Sequence, residues 1–345
     1  MSIRITLIYF LIFFFFFLSH ARQFADPKLL IKLVHNSNVK DEDHDGARAL
    51  KKVLEEGSDG QIQVKIFPGS QLCSGAHECI QLLQTGALEI YIATGGGLAG
   101  FYPEIAVLDL PYLLDNDQVA ECVFDGPYRK HLQSSIARAI PGVRLMVVGN
   151  TGGWRNFATT RKPIHKASDL QGLKIRTIKN AMQIELAKSL GASPTGISWG
   201  EVYTSLATGV VEGTKNGITD IVGMKLHEHL KYIVLDGHSY MAAYWMVSEK
   251  IYQKLSPDQK KLLEKAFLEL AAITRKLPRE RAHEAYEIFA KAGGRVHHLD
   301  QEARDEFVQK TAPLREWYTN LYPRENLDQV LAAAKNCRDR LKNQK

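Results

Sequence analysis

The chain has 345 residues, 45% apolar and 24% charged, with 44 Lys and Arg against 38 Asp and Glu for a formal net charge of +6. That composition is globular and excludes a disordered or collagen-like chain, and at this length a single core gives way to two domains. The positive charge is dispersed, with no run of five or six basic residues. This excludes the electrostatic footprint of a nucleic-acid groove and leaves room for a small anionic partner.

Arg4 precedes an apolar stretch from Ile5 to Leu18, and Ser19-His20-Ala21 follows with small residues at the two cleavage positions. Residues 1–21 therefore read as a secretory signal peptide. The apolar stretch falls short of the roughly 20 residues a membrane-spanning helix requires; an uncleaved anchor is the alternative. No later segment is apolar enough to span a bilayer, so the mature chain is expected to be exported and soluble. Export permits disulfides. Cys73, Cys79, Cys122 and Cys337 allow three pairings, of which a short Cys73–Cys79 bridge is sterically plausible, with four free or buried thiols as the alternative.

Leu29 to Val34 reads as a strand, and Ala47, Leu50, Val53 and Leu54 carry helical spacing behind it. Gln61 to Phe67 alternates with the period of a half-buried strand and ends at Pro68-Gly69. A helix through Ile80, Leu82 and Leu83, a short strand from Leu88 to Ile92, and apolar runs at Ile105–Leu110 and Val143–Val148 follow. Strands alternating with helices argue for parallel sheet. Gly149-Asn150-Thr151-Gly152-Gly153 reads as a crossing between domains. Beyond it, Leu173–Ile178 is a strand and Asn180 caps a helix running to Leu190. Ser198 and Glu201 have capping-box spacing, which makes Glu201 structural. Ser256-Pro257-Asp258-Gln259 starts a helix that continues to about Ala292, roughly 50 Å long, with a kink expected at Pro278.

Enzyme and metal motifs fail in context. Gly95-Gly96-Gly97-Leu98-Ala99-Gly100 satisfies GxGxxG, but Phe101-Tyr102-Pro103 breaks the helix a dinucleotide would need. The glycines read instead as a loop that lets backbone approach a ligand or another strand closely. Neither His227-Glu228-His229 nor His297-His298 has metal-ligand spacing on a helix. No nucleophile elbow, HExxH or phosphate loop is present. No cofactor, metal or catalytic residue is expected. His35-Asn36, directly after the first strand, stands where open parallel sheets bind ligands; a capping or loop pair is the alternative.

Three stretches carry a resemblance. They are Trp154-Arg155 with Pro163-Ile164 and Asp169-Leu170-Gln171-Gly172-Leu173-Lys174-Ile175-Arg176, then Leu190-Gly191-Ala192-Ser193-Pro194-Thr195 with Glu201-Val202-Tyr203, and Leu206 with Gly209-Val210-Val211-Glu212-Gly213 and Asn216. The chain resembles the solute-binding subunits of tripartite ATP-independent periplasmic (TRAP) transporters, of the dicarboxylate-binding (DctP) type. The resemblance implies an α/β, two-lobed periplasmic-binding-protein-like fold with crossing hinge strands and a long kinked helix. On this reading residues 27–152 and 242–281 form lobe I, and 153–241 and 282–345 form lobe II. It implies a monomer that catalyses nothing and delivers a small organic acid to membrane-embedded permease subunits. Arg176 would clamp a carboxylate through two parallel hydrogen bonds, Asn216 would donate to the same group, Arg155 would contact the ligand or its water, and Trp199 would wall the pocket.

His35, Asn36, Thr94 and Tyr240 complete the candidate set. Thr94 and the glycines after it fall where some relatives place large polar selectivity residues, which argues against a sugar acid needing such partners. Lys215 departs from the usual Glu and is expected to face solvent. The ligand could be a dicarboxylate, a keto or hydroxy acid, an aromatic acid or a sulfonate such as isethionate. A ligand sensor without a permease, and an exported enzyme, are the other classes.

Overall fold

A computed structural model describes residues 29–343; the leader expected over residues 1–21 lies outside the described residues. The first lobe opens with β1 (Leu29–Val34), α1 (Glu42–Gly57), β2 (Ile62–Phe67), α2 (Ala76–Thr85) and β3 (Ile90–Thr94), followed by the one-turn α3 (Gly95–Leu98), α4 (Asp117–Asp125) and α5 (Tyr128–Ala139). The long β4 (Val143–Thr159) leads into the second lobe. There follow β5 (Lys174–Thr177), α6 (Ala181–Ser189), β6 (Ser193–Gly196), α7 (Val202–Ala207), β7 (Gly213–Asn216), α8 (Ile218–Gly223) and β8 (Tyr232–Leu235). β9 (Ser239–Ser248) returns to the first lobe, α9 (Glu249–Lys254) ends it, and α10 (Pro257–Lys291) crosses back. β10 (Arg295–His298), α11 (Gln301–Thr311), α12 (Leu314–Leu321) and α13 (Arg324–Lys342) complete the chain.

The strand order is β2-β1-β3-β9-β4-β7-β5-β6, with β8 between β4 and β10. Parallel pairing holds within each lobe, at β2-β1-β3 and at β7-β5-β6. The sheet as a whole is mixed: β9 runs antiparallel to both β3 and β4, and β7 antiparallel to β4. The expectation of parallel sheet fails at these central strands because the chain crosses between lobes in both directions. The Gly149–Gly153 segment lies inside β4. Its ladder with β9 shifts register between Asn150 and Trp154, a bulge that bends the strand where it leaves one lobe for the other. The Asn150 side chain accepts from the Gly153 N–H at 2.7 Å and donates to the Gly153 carbonyl at 3.1 Å, so the bulge is closed rather than loose.

Packing follows the sequence pattern. Ile62 and Val64 are buried while Gln63 and Lys65 are exposed, as alternation requires. Ile31, Leu33, Leu50, Trp245, Phe267 and Leu270 seat α1 and α10 on one face of the first-lobe sheet. The larger core is continuous between lobes, joining Ile80, Leu132 and Val148 to Ile175, Leu186, Phe307 and Tyr318. Val202, Ile218, Ile221 and Phe289 fill the other face of the second lobe. The expected strand at Leu88–Ile92 lies two residues later, and Ile105–Leu110 falls largely in a 3-10 turn over Pro103–Asp109.

The long helix begins at the expected box: Ser256 accepts from the Gln259 N–H, and the Gln259 side chain accepts from the Ser256 N–H. Pro278 lies inside it, removing one helical donor. Arg275 fastens it to both neighbours, donating from Nε to the Val148 carbonyl at 3.0 Å and pairing with Asp125 at 2.6 Å.

Both disulfides form, Cys73–Cys79 and Cys122–Cys337. The second bridge corrects one lobe limit. Residues 282–345 read as second lobe, yet α13 packs on α4 and α5 of the first lobe, where Cys337 meets Cys122. The bridges close loops of sequence separation 215 and 6, so chain-entropy arguments give stabilisations of roughly 5 and roughly 2 kcal/mol. Denaturant unfolding of Cys122→Ala/Cys337→Ala and Cys73→Ala/Cys79→Ala should show the first pair lowering the midpoint more.

Candidate ligand-binding site

The carboxyl ends of β1 and β3 in the first lobe and of β5 and β7 in the second come together at the lobe interface. A Cβ at Gly96 would lie 2.6 Å from Cγ2 of Ile178, so α3 rests directly on the second lobe. The glycines after β3, expected to be a loop, form instead a helical turn whose Gly96 meets the Ile178 side chain rather than another strand.

Arg176 is the third residue of β5 and is buried. Its Nε and Nη2 both donate to the Ile197 carbonyl, at 3.0 and 2.8 Å. This anchors one edge of the guanidinium and leaves Nη1 directed away from it. The Trp199 ring, half-buried, lies 5.5 Å from the guanidinium carbon, within cation–π reach. Arg155 follows the β4 bulge, donates from Nη1 to the Lys215 carbonyl at 3.2 Å, and keeps a buried Nε without a partner. Asn216 ends β7, accepts from Thr214 Oγ1 at 3.0 Å and donates to Asp220 Oδ2 at 3.1 Å. Among the described residues neither Arg155 nor Arg176 forms an ion pair. Burial, then the like charge of Arg155, pushes the Arg176 pKa down to about 9, and Asp220 offsets part of this.

The structure therefore brings Arg155, Arg176, Asn216 and Trp199 together. Of the other four candidates, His35 and Asn36 follow β1 and Thr94 ends β3, on the first-lobe side of the same interface, while Tyr240 lies in the core; none is hydrogen-bonded to the cluster among the described residues. His35 Nε2 pairs with His44 Nδ1 at 3.0 Å, and Asn36 bridges Tyr91 and Ser70, all within the first lobe. Thr94 ends β3 at the start of α3 without capping it. Tyr240 packs against Trp154 and Phe124 in the core.

Lys215 is a correction. It is 2% exposed rather than solvent-facing, because β7 is an interior strand and Lys215 stands opposite the buried Phe157 of β4. Burial and the charge of Arg155 lower its pKa, against Asp109. A second feature had no sequence reading: Asp41, Glu42 and Asp43, at the start of α1, approach Asp220 of α8. Glu42 Oε1 accepts from Thr219 Oγ1 at 3.0 Å and from the Gly152 N–H at 2.5 Å, and Asp43 Oδ2 accepts from Thr151 Oγ1 at 3.0 Å. These bonds join the first lobe to the hinge and the second lobe. The available signal was the helix start itself, an Asp41 cap followed by three acids in the first turn. Burial raises the pKa of all four carboxyls, those of Asp41 and Asp43 well above the usual carboxylate range and that of Asp220 to about 7.

An open groove of about 1230 Å³ lies on the outer edge of the first lobe, lined by Arg48, Lys51, Lys65 and neighbours of α1 and β2. It contains none of the clustered cations, and the interlobe residues carry the chemistry.

Residues 33–320 match the family described as bacterial extracellular solute-binding protein, family 7 (DctP). An uncharacterised protein of Salmonella typhimurium, YiiZ, is 32% identical over 72% of this chain and 75% of its own length. The 2,3-diketo-L-gulonate-binding periplasmic protein YiaO of Escherichia coli is 27% identical over 79% of this chain and 82% of its own. The sugar acid binding protein of Advenella mimigardefordensis, solved with galactonate, superposes with a TM-score of 0.85 at 28% identity, covering 89% of this chain and 98% of that one.

The carboxyl cluster sets a pH dependence. A carboxyl with a raised folded pKa holds its proton more tightly when folded. Its contribution is full below the unfolded value near 3.8 and is lost as pH rises through about 7. Thermal melts should show stability declining between about pH 4 and pH 7 from this cluster, with a shallower decline in Asp220→Asn.

Proposed function

Because the chain belongs to family 7 of the bacterial extracellular solute-binding proteins, whose members bind solutes and do not transform them, we propose that it is a monomeric periplasmic carrier. It captures an organic acid between its lobes and delivers it to a membrane-embedded TRAP permease. The observation that carries this reading is the pair of guanidinium groups buried at the lobe interface, whose acceptors among the described residues are backbone carbonyls. Buried charge without a counter-ion is unfavourable, and two like charges side by side add repulsion. A ligand carboxylate relieves both penalties, accepting from the free Nη1 end of Arg176 and from the Nε edge of Arg155. Asn216 adds a neutral donor, and Trp199 holds the Arg176 plane. Relatives whose names specify ligands, 2,3-diketo-L-gulonate and C4-dicarboxylates among them, support an acid.

Capture couples to closure only if the acid contacts both lobes more fully when they are together. Arg176 and Asn216 come from the second lobe and Arg155 from the connecting strand, while α3 of the first lobe meets Ile178, two residues beyond Arg176. The bonds of Glu42 and Asn38 to Thr219 and Gly223 latch the same interface without touching the arginines.

Calorimetric titration tests the assignment. Arg176→Ala is expected to lose about 2 to 5 kcal/mol of acid binding, at least roughly thirtyfold in Kd. Arg176→Lys should fail comparably, since an ammonium cannot hold the Ile197 carbonyl and a carboxylate in one plane. Unchanged affinity in both variants would overturn the site. Amino-terminal sequencing of the exported protein should begin at Arg22.

A further inference from the structure

Four carboxyls meet where the lobes join, apart from the cationic cluster. Asp41, Glu42 and Asp43 begin α1 of the first lobe, Asp220 stands in α8 of the second, and all four are buried. A Cβ on Gly152 of the hinge would lie 2.7 Å from Asp220 Oδ2, and the Gly152 N–H donates to Glu42 Oε1 at 2.5 Å. One hinge residue therefore stands against acids of both lobes. Glu42 also accepts at 3.0 Å from Thr219, the neighbour of Asp220, and Asp43 Oδ2 accepts from Thr151 and Ser37, each at 3.0 Å. Asp43 Oδ1 is buried and has no donor. Among the described residues none of the four carboxyls forms an ion pair. Arg281 of α10 faces Glu42 but pairs with Asp45 at 2.7 Å, and Arg155 and Arg176 face Asp220 from β4 and β5. Tyr91 of β3 faces Asp43, while His35 and His44 pair with each other, burial lowering both and taking His35 to about 3.

We propose that Glu42, Asp43 and Asp220 form a proton-held latch, so that closing the lobes on a ligand takes up a proton from solvent and opening returns it. The inference rests on the ligand-driven closure proposed above. With the lobes together the carboxyls are shut away from water and near one another, and a proton on one of them removes a like charge. When the lobes part, Asp220 and Thr219 leave Glu42, water reaches the cluster, and the carboxyls ionise at their ordinary values. The form that holds the ligand is thus the form that holds the extra proton, and affinity falls as pH rises. Burial raises Asp220 to about 7, which places the change near neutrality. Arg176, pushed down only to about 9, keeps its charge there.

Calorimetry with galactonate, which stays ionised throughout, tests this at about pH 5.5 and about pH 7.5 in paired buffers of different ionisation enthalpy. The wild type should take up roughly one proton per galactonate near neutrality and bind at least roughly tenfold more tightly at the lower pH. Glu42→Gln and Asp43→Asn keep acceptors for Thr219 and Thr151. Each should lose at least roughly half of that uptake and shrink the affinity change to about threefold or less; should one variant not fold, the other decides. Uptake unchanged in the folded variants overturns the latch. Uptake that vanishes only in Lys215→Met assigns the proton to that lysine, whose pKa burial also lowers, and overturns the latch as well. Affinity unchanged in Arg176→Ala overturns the carboxylate reading and leaves the latch standing. Should galactonate not bind, small-angle scattering of the ligand-free protein decides: Glu42→Gln should be more compact than wild type at about pH 7.5, and equal radii of gyration overturn the latch.

Discussion

The ladder between β4 and β9 determines where everything else in this protein can stand. It is the element pair that runs through both lobes, so the first-lobe strands assemble on one side of it and the second-lobe strands on the other. Its bulge between Asn150 and Trp154 turns the strand and delivers Arg155 to the interface immediately afterwards. The hinge is therefore hydrogen-bonded rather than a loose linker, and it admits bending more readily than sliding. Gly152 and Gly217 pack so closely there that a Cβ on Gly217 would lie 1.5 Å from the Gly152 carbonyl oxygen, which excludes any side chain at that point.

Electrostatics at the interface divide into two territories. Arg155, Arg176 and Lys215 collect on the second-lobe side, and Asp41, Glu42 and Asp43 on the first-lobe side, with Asp220 between them. Neither territory neutralises the other by direct contact. Glu42 Oε1 and Asp43 Oδ2 accept from hydroxyl and amide donors, and the guanidinium groups are held by carbonyl dipoles. Such an arrangement keeps the cations available to an anion, because no protein carboxylate must first be displaced.

Local features of this fold were legible in the sequence and distant ones were not. The boxes at Ser256 and Ser198 and the cap at Asn180 were readable because cap and partner lie within three residues. The alternation of β2 was readable because one face is solvated. Gly213-Thr214-Lys215-Asn216 gave no strand signal, being short and polar, and becomes a strand only between β4 and β5. The same burial makes Lys215 an interior residue, against the ordinary tendency of lysine to face water. The glycine-rich centre of β4 was readable as a crossing between domains but not as strand, since its partner β9 lies some ninety residues later. Arg176 and Asn216 were recognisable through flanking motifs, whereas the meeting of Glu42 with Thr219, separated by 177 residues, had no local trace.

The Cys122–Cys337 bridge ties the end of the chain to a lobe that the chain begins. The first lobe cannot complete its packing until α13 has been synthesised and has reached α4, after the whole second lobe has been made. Folding of that lobe must then follow synthesis instead of accompanying it. A polypeptide so ordered stays extended for longer as it emerges, the condition under which a chain can be threaded through a membrane before it sets.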